Sequence, residues 1–250
     1  MRWDERDLDE GPVPLWFQIS ERLRTAIAEG EFASGDTLPP ESALMRRFGV
    51  SRTTARAALN RLTSDGLVKR KAGRGTTVLP PKVDQPLNLL ASFAEDMKAR
   101  GLAPSYRTLD VAVVRLPGEA ASALGVNRGT RAVSVDRLLL ADDLPIASSQ
   151  SWLEPGVVAP RARPDERTLD ETSLYRWIED TTGVRIARGE EYIEAGVAGT
   201  AIAERLEVTP DSPVLIARRL SRAVDSRPVE YVVLHYRADR YRFRVELARP

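Results

Sequence analysis

Cysteine is absent from the 250 residues, and histidine occurs once. The first absence removes disulfides, thiolate nucleophiles and cysteine-ligated zinc together. The second leaves His235 without the partners that a Ser-His-Asp triad or a multi-histidine metal site needs. Its surroundings, VEYVVLHYR, read as a strand in which a packed histidine is the simplest expectation. No apolar run reaches the roughly eighteen residues of a membrane span. The opening MRWDERDLDEG is acidic, unlike the basic and apolar start of a secretory leader. A cytoplasmic protein with no membrane partner is expected. No glycine-rich phosphate cradle is present either, because AGRGT follows a basic strand and does not bridge strand and helix. No cofactor, no metal site and no catalytic residue is expected.

The chain is long enough for two modest domains, and its net charge is only +1. Against that near-neutral whole, residues 41–78 carry nine Lys or Arg (46, 47, 52, 56, 61, 69, 70, 71, 74) and two acids (41, 65), a local charge of +7. A compact basic segment in a neutral chain points to a polyanion.

Residues 1–13 form an acidic arm with little to bury, and a frayed segment is expected. Pro14 then opens a helix whose apolar positions Leu15, Ile19, Leu23 and Ile27 recur every four residues, and Gly30 stops it. Pro39 and Pro40 precede a second helix with Leu44, Met45 and Phe48 on its apolar side. Gly49 permits a sharp turn, Val50 plugs the junction, and Ser51 caps a third helix. Ala55, Ala58, Leu59 and Leu62 share that helix's buried face, so Thr53, Arg56, Ala57 and Asn60 point outward. After Gly66, LVKRK and TTV read as two strands turned by Gly73 and Gly75. Three helices and a two-stranded hairpin over residues 14–79 make a winged helix-turn-helix, which meets DNA with the third helix and the wing. The bland alternative is a solvated basic face.

PLWFQI, LPPESAL, FGVSRTTARAAL and GLVKRKAGRGTTV together resemble the N-terminal signature of the GntR family of bacterial transcription regulators. The resemblance implies a double-stranded DNA operator as partner. It implies DNA contacts from Ser51, Arg52, Thr53, Thr54 and Arg56 on the third helix, and from Gly73 and Arg74 at the wing tip. Ser42 departs from relatives that place an arginine there. The residue types fit such roles: an arginine fork matches O6 and N7 of guanine, and a hydroxyl suits a phosphate.

Residues 80–88, rich in proline, read as a semi-rigid linker, with a second domain over 89–250. That domain alternates strands with short helices and contains a repeat. An offset of 82 places Leu124 on Leu206, Val133 on Leu215 and Arg137 on Arg219; one inserted residue then brings Pro145 onto Pro228. A strand-helix-hairpin unit used twice predicts an α+β fold, a mostly antiparallel sheet with helices packed on it. The first hairpin should turn at Asp142 and Asp143, setting Arg137 across from Ser149 and Leu139 across from Ala147. Val133, Val135, Arg137 and Leu139 then share a face, as do Glu230, Val232, Leu234 and Tyr236. An arginine and a glutamate among apolar neighbours must pair with each other or face a ligand. Trp152, Tyr175 and Trp177 read as core aromatics.

SFAEDMKARGLAP, LPIASSQSWL, TSLYRWIED and RPVEYVVLHYRADRYRF resemble the UTRA effector domain of the HutC branch of that family, whose fold is similar to chorismate lyase. The resemblance implies a small-molecule effector held by Arg137 and Glu230, with Ser149 and Tyr236 nearby and backbone groups of Ser92 and Phe93 receiving an anionic head. Leu139 and Ser149 stand where many members have an arginine and a glutamate, which weakens the case for a phosphorylated sugar. A homodimeric repressor released from a near-palindromic operator by a metabolite is therefore expected. The alternatives are lyase-type activity in the C-terminal half and DNA binding without a ligand.

Overall fold

A computed structural model describes residues 3–71, 75–87 and 90–247. The chain divides into two compact units, residues 1–82 and 83–250.

In the first unit, helices α1 (Leu15–Ala28), α2 (Glu41–Phe48) and α3 (Arg52–Ser64) are followed by strands β1 (Val68–Lys71) and β2 (Gly75–Val78), paired antiparallel. This is the expected winged helix-turn-helix. Ala55, Ala58, Leu59 and Leu62 of α3 are buried against Ile19 and Leu23 of α1 and Leu44 of α2, the small alanines letting the helices approach. Gly49 ends α2 in the left-handed region at φ 64°. Gly75 begins β2 at φ 85°, where a Cβ would also meet the Thr37 methyl at 3.1 Å. Leu15, expected on the buried face of α1, is 43% exposed, and Ala26 takes its place in the core.

The arm is the larger difference. Trp3 lies edge-on to Phe48 with ring centroids 5.9 Å apart and also meets Phe32, while Leu8 joins the same core. Arg47 donates to the Arg6 carbonyl at 3.0 Å and to Asp7 at 2.9 Å; Gln18 accepts from the Asp9 amide at 2.9 Å. Arg47 of α2 pairs with Asp7, Arg22 of α1 donates to backbone carbonyls of the arm, and one tryptophan provides the apolar surface that the composition hides.

The second unit contains β3 (Val83–Pro86), α4 (Phe93–Ala99), β4 (Pro104–Arg115), α5 (Gly118–Leu124), β5 (Arg131–Ala141), β6 (Leu144–Leu153), α6 (Glu166–Glu171), α7 (Leu174–Thr182), β7 (Ile186–Val197), α8 (Gly199–Leu206), β8 (Pro213–Ala223), β9 (Pro228–Arg237) and β10 (Tyr241–Arg244). Six strands form one antiparallel sheet in the order β4-β5-β6-β9-β8-β7. Each half is the strand-helix-hairpin unit read from the repeat, and the halves meet at β6 and β9. Strands β4 and β7, and β5 and β8, begin and end at the same offset of 82 residues. The β5–β6 turn places Asp142 and Asp143 at φ 48° and 60°, and the register sets Arg137 opposite Ser149 and Leu139 opposite Ala147 as expected.

Alternation along the strands splits the sheet into two covered faces. Ala132, Trp152 and Tyr231 pack under α5, and Leu138, Leu140 and Val214 under α8. On the opposite face, Val133, Val135 and Leu153 pack under α6 and α7, while Leu139, Ala147, Val232 and Leu234 meet α4 and the β3–β10 ribbon. That ribbon corrects the reading of residues 80–88 as linker throughout. Val83–Pro86 pairs in parallel with Tyr241–Arg244, and Val83 is buried in the core of the second unit. Four residues whose partner strand lies so far along the chain carry no local signal of being a strand.

Candidate DNA interface and ligand cavity

The expected DNA contacts divide into two groups. Ser51, Arg52, Thr53 and Arg56 are exposed, while Thr54 is half-buried. The Ser51 hydroxyl accepts the Thr54 amide at 3.2 Å and lies 2.9 Å from the Thr54 hydroxyl, so these two first serve to cap α3. Arg52 donates its Nε to Glu41 Oε2 at 3.0 Å. Thr53 and Arg56 lie on the outward face. Gly73 and Arg74 lie outside the described residues. Arg70, on β1, donates to Asn60 of α3 at 2.7 Å and to Glu41 at 2.6 Å, which draws wing and helix to one cleft. Ser42 also lines that cleft, together with Arg52 and Arg56.

The second unit contains a half-open cavity of about 80 Å³ between the sheet and its α4, α7 and β3–β10 cover. Its lining includes all six residues expected at an effector site: Ser92, Phe93, Arg137, Ser149, Glu230 and Tyr236. Strand alternation explains the convergence, since β5, β6 and β9 each present one face inward.

Arg137 is 3% exposed and donates to the carbonyls of Leu169 at 2.6 Å and Thr172 at 3.0 Å. Its guanidinium stacks 3.9 Å from the centre of the Tyr106 ring, and its Nε is buried without a partner. Among the described residues it forms no ion pair, and burial pulls its pKa down to about 10. Glu230, 2% exposed, accepts from Ser151 at 2.6 Å and from Ser221 at 3.2 Å. Burial raises its pKa, and the serine hydrogen bonds and the Arg219 charge oppose that rise. Arginine and glutamate do not pair with each other. Both face the cavity.

Tyr175 and Arg219 are further lining residues that the sequence reading missed. Tyr175, expected in the core, lines the cavity with its hydroxyl 2.9 Å from Ser221. Arg219 lines it too, bonded to Glu191 at 2.8 Å and to the Tyr175 hydroxyl at 3.4 Å. The repeat already aligned Arg219 with Arg137, and that alignment was the available signal. Ser221 lies two residues further along the same face of β8. Trp152 and Trp177 are in the core as expected.

One expected backbone group is engaged. The Ser92 amide donates to Glu95 Oε2 at 2.8 Å, and the Ser92 hydroxyl accepts from the Glu95 amide, closing a capping box at the start of α4. An anionic head reaching Ser92 would have to displace the Glu95 carboxylate.

Comparison with known proteins decides what these two units are. The model described as bacterial regulatory proteins, gntR family, matches residues 17–78, and the UTRA domain model matches residues 99–242. The transcriptional repressor NagR of Bacillus subtilis is 35% identical over 234 residues, covering 94% of this chain and 95% of NagR. This chain belongs to the GntR family. It is a DNA-binding transcription regulator of the branch that carries a UTRA domain. MngR of Escherichia coli, the mannosyl-D-glycerate transport/metabolism system repressor, is 30% identical over 93% of this chain and 95% of its own length. The crystal structure of PhnF from Mycobacterium smegmatis superposes with a TM-score of 0.60 at 27% identity, covering 92% of this chain and 98% of PhnF. Among the described residues, no helix is long and apolar enough to cross a membrane.

Proposed function

We propose that the protein is a cytoplasmic homodimeric repressor that releases a near-palindromic operator when a small, anionic, hydroxyl-bearing metabolite enters the cavity of its second unit. One observation carries the ligand class. Among the described residues Arg137 is a buried cation with no ion-pair partner, facing the same cavity as the buried carboxylate of Glu230. A ligand with a carboxylate or phosphate at one end and hydroxyls at the other complements both groups. The name of MngR, which joins a sugar to a glycerate, is consistent with that class.

Arg137 supplies the anion contact, with Ser149 beside it and Ser92 and Phe93 at the rim. Glu230 and Tyr236 take the hydroxyl-bearing end. Ser151 and Ser221 both donate to Glu230, an arrangement that holds its carboxylate in place for binding. The second unit thus acts as a sensor with no turnover, and incubation with chorismate should give no product. Ser51, Arg52, Thr53, Thr54 and Arg56, with Gly73 and Arg74 of the wing, meet the operator. Two such helices must reach major grooves about one helical turn apart, which favours a dimer.

Thermal denaturation with matched ligand pairs tests the ligand class. Mannosyl-D-glycerate and simple sugar phosphates are compared with their uncharged parent sugars. An anionic ligand at a hundredfold excess over its Kd should add about 2.7 kcal/mol of stability. Equal stabilisation by the uncharged sugars would contradict the assignment of Arg137.

A further inference from the structure

A carboxylate occupies the middle of the basic surface. Glu41 opens α2 with its side chain only 16% exposed, while Arg52 beside it is 80% exposed. Its Oε2 takes Arg52 Nε at 3.0 Å and its Oε1 takes Arg70 Nη2 at 2.6 Å. Arg70 uses its other terminal nitrogen on Asn60 at 2.7 Å. One side chain therefore ties together α2, the start of α3 and the first wing strand. The two arginines hold the Glu41 carboxyl below its ordinary range, Arg70 first and Arg52 second, so the clamp stays charged through neutral pH.

An acid in this position works against binding any polyanion, because it repels the phosphates that the arginines attract. Its geometry favours something else. Among the described residues, Arg52 has one side-chain bond, through Nε. No hydrogen bond from either terminal nitrogen is seen among the described residues, and these are the donors that span O6 and N7 of guanine. A free arginine must give up rotamer freedom to make that pair. An arginine already held at Nε has less to lose.

We propose that Glu41 is a positioning residue for base reading: it presents the Arg52 fork to the major groove and fixes Arg70 beside it, at the cost of weaker attraction to DNA in general. The inference rests on Arg52 being a base-reading residue. It predicts opposite signs for two affinities. Without Glu41, the preferred sequence should bind more weakly, whereas unrelated DNA should bind equally well or better.

The test uses the full-length protein and two labelled duplexes: one enriched by the wild type from a random-sequence pool, and one of unrelated sequence. Glu41→Ala, Arg52→Ala and the double variant are compared by fluorescence anisotropy. Glu41→Ala should lose about tenfold on the enriched duplex and nothing on the unrelated one, with the double variant no weaker than Arg52→Ala alone. Glu41→Gln, which keeps an acceptor oxygen, should fall between. Retained binding to unrelated DNA shows that the winged helix is folded. Tighter binding of both duplexes by Glu41→Ala would mean that Glu41 is only a counter-charge, and additive losses would mean that it acts independently of Arg52; either result overturns the proposal. If Arg52→Ala alone left the preference intact, the assignment of Arg52 would be wrong, which is a separate failure.

Discussion

Raising the salt concentration from about 50 mM to 200 mM should weaken operator binding roughly a thousandfold, provided that about six phosphates are neutralised. The expectation follows from the placement of charge. The whole chain is only +1, yet residues 41–78 hold nine basic side chains against two acids. Arg56 on the outward face of α3 and Arg70 on β1 border one cleft, and Arg46 is exposed on α2. Side chains so grouped release counterions from DNA together, and the loss of affinity scales with their number. The slope is measured by anisotropy on an operator duplex across a salt series. A dependence close to flat would mean that this surface does not meet the phosphate backbone.

Arg137→Met should remove the response to an anionic ligand and change the stability of the unliganded protein by no more than about 2 kcal/mol. Burial that pulls the Arg137 pKa down to about 10 costs about 3 kcal/mol at neutral pH, and the cost fades only as the pH rises above that value. Methionine removes this penalty while filling similar volume. It also removes the bonds to the Leu169 and Thr172 carbonyls, so the two effects offset each other. Ligand affinity has no such offset, because the anion loses its charged partner; a fall of about a hundredfold or more is expected. Calorimetric unfolding and ligand titration on the same variant separate the two quantities. A large loss of stability with ligand affinity retained would identify Arg137 as a strut between β5 and the α6–α7 segment.

What the sequence made legible was local in origin. Four buried positions at helical spacing located the recognition helix, and the pair Asp142-Asp143 set the β5–β6 turn, from which the Arg137–Ser149 register followed. The repeat fixed the order of elements in both halves of the sheet. What stayed hidden depends on pairs brought together only by the fold. Val83–Pro86 becomes a strand because Tyr241–Arg244 lies beside it. Trp3 orders an acidic arm because Phe32 and Phe48 wait for it. Tyr175 reads as a core aromatic until α7 delivers its hydroxyl to Ser221. The same limit applies to Glu41: as the first residue of α2 it looks like an ordinary helix-opening acid, and only the wing brings Arg70 to it.

In the proposed mechanism, occupancy of the Arg137 and Glu230 cavity governs DNA binding by the other unit. Its most direct test is displacement of a labelled operator duplex by a panel of small sugar acids and sugar phosphates, run in parallel on the wild type and Arg137→Met. A compound in the panel should release DNA from the wild type, while Arg137→Met should bind the duplex with unchanged affinity and keep it at the same compound concentration. Equal release from both proteins would contradict it.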